Sequence, residues 1–258
     1  MVTPRSLRAM EAWAVGYKRT WRGSAVSSFL SPVLFLAALG LGLGGEIDDR
    51  QAASLDGVRY LAFLGPGLLA AAAMQTASGE ATYPVMGAIK WTGSYKAMLA
   101  SPLGIADLVT GHLGWMTARL FMVTGAYLGV MALFGAVDSV GAVLAIPAAV
   151  LCGLAFAAPI MAFSASTQHD SAFASLQRFV IIPMFLFSGT FFPVEQLPAA
   201  IRPVAYATPL WHGVELCRGL ALGDLDPIGG LGHIAFLLAF AVTGYLLAVV
   251  SFRRRLAP

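Results

Sequence analysis

Residues 231–252 read LGHIAFLLAFAVTGYLLAVVSF, and Arg253, Arg254 and Arg255 follow at once. The stretch contains no Asp, Glu, Lys or Arg. A helix crosses the roughly 30 Å hydrocarbon core of a bilayer with about 20 apolar residues, which this run supplies, and its basic end marks where it stops. The rest of the chain agrees. Of its 258 residues 58% are hydrophobic and 11% charged, against about 25% charged in soluble domains. A protein this poor in charge cannot cover a water-facing surface, whereas one that faces lipid need not. Length alone would allow one or two soluble domains; composition overrides it.

Six such runs are present, at about 24–44, 58–79, 104–134, 140–163, 173–190 and 231–252. None alternates with the period of two that membrane β-strands show. The expected fold is therefore all-α: a polytopic membrane protein with six transmembrane helices, read as one domain over 1–258. The third run is longer than a crossing needs. It carries Asp107, His112 and Arg119, so an interfacial polar turn is expected at its start. The first run is full length and follows about 22 mostly amphipathic residues, so it reads as a retained span and not a signal peptide. Cys152 and Cys217 fall in separate segments, and no disulfide framework or metal cluster is expected.

Orientation follows Lys and Arg in the short loops. With the N-terminus inside, the inner segments hold Arg5, Arg8, Lys18, Arg19, Arg22, Lys90, Lys96, Arg178 and Arg253 to Arg255. The outer ones hold Arg50, Arg59, Arg202 and Arg218. Glu46, Asp48, Asp49, Asp56, Asp138, Glu195, Glu215, Asp224 and Asp226 all fall outside. Both termini are thus expected in the cytoplasm. The net charge of +3 reads as topology, and no basic patch interleaved with aromatics points to nucleic acid.

Three segments stand out between the spans. Over 5–22, Leu7, Met10, Trp13, Ala14, Tyr17 and Trp21 recur at spacings of three and four beside Arg8, Lys18, Arg19 and Arg22. That is the pattern of a helix lying in the interface, either as a simple anchor or as an elbow that carries force into the first span. Residues 80–103 form the largest inner loop, with a short helix expected between Pro84 and Pro102. Tyr83, Trp91 and Tyr95 suit it to a docked partner; a solvated loop is the plainer reading. In 191–230, Pro193, Pro198, Pro203 and Pro209 forbid a continuous helix, yet the stretch is apolar. Irregular backbone at membrane depth persists where protein or a water-filled cavity covers it. A re-entrant outer structure is therefore expected, followed by a helix over about 210–222 in which Glu215 and Arg218 pair at i, i+3; an ordinary outer loop is the alternative.

Catalytic signatures are missing. There is no G-x-x-x-x-G-K-[ST] loop and no H-E-x-x-H pair, and Ser188 lacks the glycine of a nucleophile elbow. His112, His169, His212 and His233 show no ligand spacing and read as hydrogen-bonded structural histidines. Arg119 sits within a span, where charge defaults to a functional hypothesis: it either lines a translocation path, or it snorkels or forms a static pair with Asp107 or another helix. Gly40/Gly44 and Gly125/Gly129 are G-x-x-x-G pairs that permit close helix contact.

At 185–222, FLFSGTFFPVEQLPAAIRPVAYATPLWHGVELCRGLAL, the chain resembles the permease subunits of ABC-2 type exporters. The residues that carry the likeness are Phe187, Ser188, Gly189, Phe192, Pro193, Leu197, Pro198, Tyr206, Pro209, Leu210, His212, Glu215 and Arg218. The branch it is most similar to is the nodulation-protein-J-like permeases of lipo-oligosaccharide export, with daunorubicin-type drug permeases nearby. The layout also fits: an inner elbow, six spans, a loop after the second and a re-entrant region before the sixth. The short outer loop at 45–57 departs from members with large outer domains.

The resemblance implies a permease that dimerises, or pairs with a sister permease, above two copies of a separate ATPase. ATP and Mg would be bound there, with no cofactor in this chain. It implies that Glu80, Tyr83, Lys90, Trp91, Tyr95 and Lys96 form the coupling segment that the ATPase grips. Phe192, Pro193, Pro198, Pro209, His212, Glu215 and Arg218 would build the outer gate. The substrate would be amphipathic, a lipid-linked saccharide or a hydrophobic drug, moved outward across a bacterial cytoplasmic membrane; thirteen Arg against three Lys suit a GC-rich genome. The competing classes are a membrane-embedded lipid-modifying enzyme, which needs clustered catalytic groups at one face, and a channel or scaffold, which needs no proline-rich outer segment.

Overall fold

A computed structural model describes residues 5–19, 21–43, 58–137 and 139–256. Expectations that fall on Gly44, on the acidic residues and Arg50 of 45–57, and on Asp138 lie outside these. Among the described residues every regular element is helical. α1 is Arg5–Tyr17, and α2 is Trp21–Phe35, continued by a π-helical stretch, Leu36–Leu43. α3 is Tyr60–Ala81, followed by the short α4, Tyr83–Lys90, and α5, Ser94–Leu99. α6 is Ile105–Leu133 and α7 is Ala145–Ser166. α8, Ser171–Phe187, contains a π turn at Gln177–Ile181. α9 is Arg202–Tyr206, α10 is Pro209–Leu222 and α11 is Pro227–Leu256.

Among the described residues four stretches are long and apolar enough to cross a membrane: Tyr60–Lys90, Ile105–Leu133, Val140–Ser166 and Pro227–Leu256. They match four of the six expected spans. The run at 173–190 yields the shorter α8, because the helix stops at Phe187 and the chain turns through Ser188 and Gly189. The expected polar turn at the start of the third span is absent. α6 is helical from Ile105, and Asp107 accepts a hydrogen bond from the Gly104 amide at 3.0 Å, which caps it.

α7 is the hub. It packs against α11, α3, α10 and α6, and α3 in turn meets α10 and α6. Alanines make this possible: Ala145, Ala149, Ala155 and Ala157 on α7 are buried, as are Ala70, Ala73 and Ala77 on α3. In lipid, helices associate through close van der Waals contact, so small residues are favoured where backbones approach. The Gly125/Gly129 pair does not serve this purpose, since nothing lies within 4 Å of a Cβ placed on either. α8 stands at the margin, touching its neighbours through Phe173 on Tyr83 and Phe185 on Phe35.

The two ends of the bundle differ. One end gathers α1, α4, α5 and Arg253 to Arg255, and is called here the basic end. The other carries the proline-rich segment and α10. α1 lies on the first half of α6 and is not spread along an open surface: Ala9 is buried, and Trp13 and Tyr17 reach His112 and Trp115. Leu7 and Trp21, on the same expected face, are exposed.

Candidate functional site

At the far end the prolines do what the sequence requires. Pro193, Pro198, Pro203 and Pro209 break the chain into a 3-10 turn at Val194–Gln196 and the short α9 before α10 begins. Thr208 caps α10 by accepting from the Trp211 amide at 3.3 Å, and Pro209 stands in its first turn. Val194, Leu197 and Ala205 form a small buried cluster under Phe192, Tyr206 and Trp211. The Ser188 and Thr208 hydroxyls share a hydrogen bond of 2.9 Å, which ties the end of α8 to the cap of α10.

Arg218 is the staple of this end. It is 8% exposed. Its Nη1 donates to Glu215 Oε1 at 2.8 Å, the expected pair. Nη2 donates to the Gly189 carbonyl at 2.7 Å and Nε to that of Phe63 at 3.4 Å. The guanidinium lies 3.7 Å from the centre of the Phe63 ring. Burial pushes its pKa down while Glu215 opposes the shift. One side chain therefore fixes α10 to α3 and to the turn after α8.

Beside it, His212 and His233 approach Nδ1 to Nδ1 at 2.8 Å. His212 also stacks on Phe236 at 3.8 Å, and Trp211 sets its edge against both imidazoles. Burial, and next the neighbouring His233, push His212 down to about 4. These two residues are far apart in sequence but nearly symmetric about the Gly223 turn that joins α10 to α11. That symmetry was the available signal for the pair.

At the basic end, α4 and α5 form a helical elbow broken at Trp91–Gly93, where Gly93 takes φ 62°, a conformation that glycine adopts at no steric cost. Trp91 is 63% exposed and Tyr83 50%; Lys96 is exposed as well. Lys90 donates to the Gln168 carbonyl, and Arg255 reaches the same residue's side chain at 3.0 Å. Tyr95 differs from the other expected docking residues. It is wholly buried, so a docked subunit cannot touch it in this arrangement. Burial pushes its phenol up, and it shares a hydrogen bond of 2.7 Å with His112 Nδ1. Glu80 faces inward too, accepting from Arg119 Nε at 3.3 Å. Arg119 thus pairs between helices with Glu80 and not with Asp107.

A cleft of about 390 Å³ opens between α3, α4 and the start of α8, lined among others by Gln75, Ser78, Thr82, Tyr83, Phe173 and Gln177. Arg119 is not in its wall. Among the described residues no group of three His, Cys, Asp or Glu could hold a metal ion. Both cysteines are free and buried.

Comparison with known proteins shows the family. The family model for ABC-2 type transporters matches residues 11–222. The chain is 33% identical to Nodulation protein J of Rhizobium meliloti (strain 1021) over 95% of its own length and 94% of the relative's. It is also 33% identical to Nodulation protein J of Rhizobium leguminosarum bv. viciae, over 95% of each. Similarity extends to the inner membrane transport permease YadH of Escherichia coli (strain K12), 21% identical over 90% of this chain and 88% of the relative.

Proposed function

Because the chain belongs to the ABC-2 type transporter family, we propose that it is the membrane subunit of an ATP-driven exporter whose ATPase is a separate chain. In this reading the permease acts as a dimer, alone or with a sister permease, above two ATPase copies that bind ATP and Mg. All six apolar runs cross the cytoplasmic membrane of a bacterium, α1 is the inner elbow, and the basic end faces the cytoplasm.

The observation that carries the reading is the elbow of α4 and α5. It puts Trp91, 63% exposed, on a short rigid knuckle flanked by Tyr83 and Lys96. A large exposed aromatic at a polar face is the kind of anchor that a protein partner buries. The substrate is amphipathic: its apolar part runs along the spans, and its head enters at the cleft beside Gln75 and Gln177. A lipid-linked saccharide or a hydrophobic drug fits that description. The far end, with Phe192, Pro193, Pro198, Pro209, His212, Glu215 and Arg218, serves as the outer gate.

The test is a pull-down of the tagged protein from native membranes in mild detergent, followed by mass spectrometry. An ATPase with Walker motifs, about one per permease, is expected with the wild type. Trp91→Ala should insert normally and lose most of that partner. Absence of any ATPase from the wild type under several gentle conditions would overturn the reading.

A further inference from the structure

α6, α7 and α11 meet unevenly. Gly244 brings α11 onto the backbone of α7: a Cβ there would overlap Pro159 and lie 3.0 Å from the Ala158 carbonyl carbon. α6 also packs on α7 but stands further from α11. A groove of about 320 Å³ is left between them, lined among others by Gly114 and Thr117 of α6, Ala158 of α7, and Ala241 and Tyr245 of α11. Its walls are apolar or small. The Thr117 hydroxyl donates to the Leu113 carbonyl at 2.7 Å and so offers the groove no free donor.

One end of the groove is polar. Thr110 Oγ1 and Tyr245 OH share a hydrogen bond of 3.0 Å. Two hydroxyls carry two protons, and this bond uses one, so an O–H is left over at the open edge. Both helices are long and apolar enough to cross a membrane, and a donor left bare in hydrocarbon is costly. Whatever covers the groove must bring an acceptor to that point and an apolar chain to the rest. Thr110 is about 8 Å along α6 from Ile105, and Tyr245 about 12 Å before Arg253. The interfacial layer of a bilayer is about 5–8 Å deep on each side, so the pair lies near the boundary where glycerol esters meet acyl chains. Beyond it the surface is basic. Phe252 packs on Tyr95 with centroids 5.4 Å apart, which fixes the last turn of α11, and Arg253 and Arg254 beside it are exposed. α1 borders α6 here: a Cβ on Gly114 would lie 3.5 Å from Met10 Sδ, and one on Gly111 would lie 2.6 Å from Ala9 Cβ and 2.7 Å from the Ser6 carbonyl. Arg5 and Arg8 of α1 are exposed. Nearby acids do not cancel this charge, because Asp107 is held by the Gly104 amide and Glu11 is the one acid of α1.

We propose that this groove binds one anionic glycerophospholipid. An acyl chain lies between α6 and α11, an ester carbonyl accepts from the Thr110–Tyr245 pair, and the phosphate stands among the arginines of α1 and the end of α11. Chain, ester and negative phosphate meet apolar groove, spare donor and basic surface in that order. A purely hydrophobic molecule would match the first alone, and a free phosphate the last alone. Basic side chains at a membrane surface favour anionic lipid over zwitterionic lipid. The groove shares no residue with the cleft at Gln75 and Gln177, so the lipid is distinct from the exported substrate. The proposal needs α6 and α11 to cross the bilayer and is independent of the exporter reading.

The test is native mass spectrometry of the full-length permease in detergent, titrated with dioleoyl phosphatidylglycerol or with phosphatidylcholine carrying the same chains. Phosphatidylglycerol should add once per permease and saturate, at least roughly fivefold tighter than phosphatidylcholine, the scale of one arginine near the headgroup. Arg8→Gln with Arg253→Gln should remove most of that preference and leave phosphatidylcholine unchanged. Thr110→Val with Tyr245→Phe should weaken both lipids alike, since the ester is common to them. Ala241→Phe sets a ring in the groove and should abolish saturable binding of both, with melting in lipid-free detergent like the wild type. If that ring prevents folding, Ala241→Leu makes the same block with a smaller side chain. Inorganic phosphate and glycerol 3-phosphate should not compete. Phosphatidylglycerol that adds without saturating, or that binds Ala241→Phe or Ala241→Leu as it binds the wild type, overturns the site. Competition by inorganic phosphate would leave a free-anion site and overturn it as well. So would a permease dimer that Ala241→Phe or Ala241→Leu dissociates, because the occupant would then be a second copy.

Discussion

Two arginines lie at opposite ends of the bundle, Arg218 buried and Arg119 half-buried, and they are partnered differently. Arg218 has a partner at Nε, Nη1 and Nη2 and an aromatic ring beneath it. Arg119 has one contact at 3.3 Å, a ring at one side and a nitrogen with nothing to bond. Both guanidiniums are costly to desolvate, and the far-end one has more partners to offset that cost. The far end is therefore held in a single geometry across α3, α8 and α10. The basic end is held firmly along α1 and α6 but loosely against α3.

The sharpest way to break the comparison is Arg218→Met. The substitution takes the donor from the buried carbonyls of Phe63 and Gly189, and each buried acceptor left unpaired costs about 1–3 kcal/mol. Thermal melting in detergent should show a large fall, with the far end opening first in hydrogen exchange. Next in size is Gly111→Leu, which drives a side chain into Ala9 and the Ser6 carbonyl. Overpacking of this kind costs about 1–3 kcal/mol. It should lift α1 from α6, seen as faster proteolysis between α1 and α2 while the α3–α7–α11 core melts as before.

Arg119→Met should do much less to stability. Glu80 is 25% exposed at its side chain, so water can replace the lost partner, and the unpaired nitrogen disappears with the charge. A change of about 1 kcal/mol or less is expected in the same melting assay. A loss as large as that of Arg218→Met would show that the two arginines are equivalent and end the comparison.

How much of this could be read in the sequence follows from the range of each interaction. Leu231 to Phe252 and the runs of α3, α6 and α7 declare themselves by composition alone. Glu215 and Arg218 were legible because a helix brings i and i+3 together, whatever surrounds them. The other two bonds of Arg218 were not legible, since they reach carbonyls 155 and 29 positions away. Arg119 with Glu80 and Tyr95 with His112 depend likewise on how helices pack. The burial of Tyr95 is hidden in the sequence for a definite reason. An aromatic in a short basic loop reads as exposed, and neither Trp13 nor Phe252 lies near enough in sequence to betray the pocket that takes it. The end of α8 at Phe187 was marked by the Ser188-Gly189 turn, though the hydropathy of the run carried the expected span past it.

The smallest expected effect concerns pH at the far end. His212 is held down to about 4, against 6.5 for a free imidazole, by burial and by His233. A histidine whose folded pKa is depressed is most stable when neutral. Its contribution is present above pH 6.5 and is lost as pH falls from there through about 4, where the folded form also takes the proton. Two charged imidazoles at 2.8 Å repel and can no longer share a proton between their Nδ1 atoms. The α10–α11 hairpin should therefore loosen over that window while the bonds from Arg218 to the Phe63 and Gly189 carbonyls hold, because an arginine stays charged throughout. Trp211 sits at van der Waals distance from both rings, so its fluorescence reports the change. His212→Phe, able to stack on Phe236 and unable to titrate, should flatten the profile between pH 6.5 and 4. An unaltered profile in that variant would place the pH sensitivity elsewhere and leave the far end rigid on both counts.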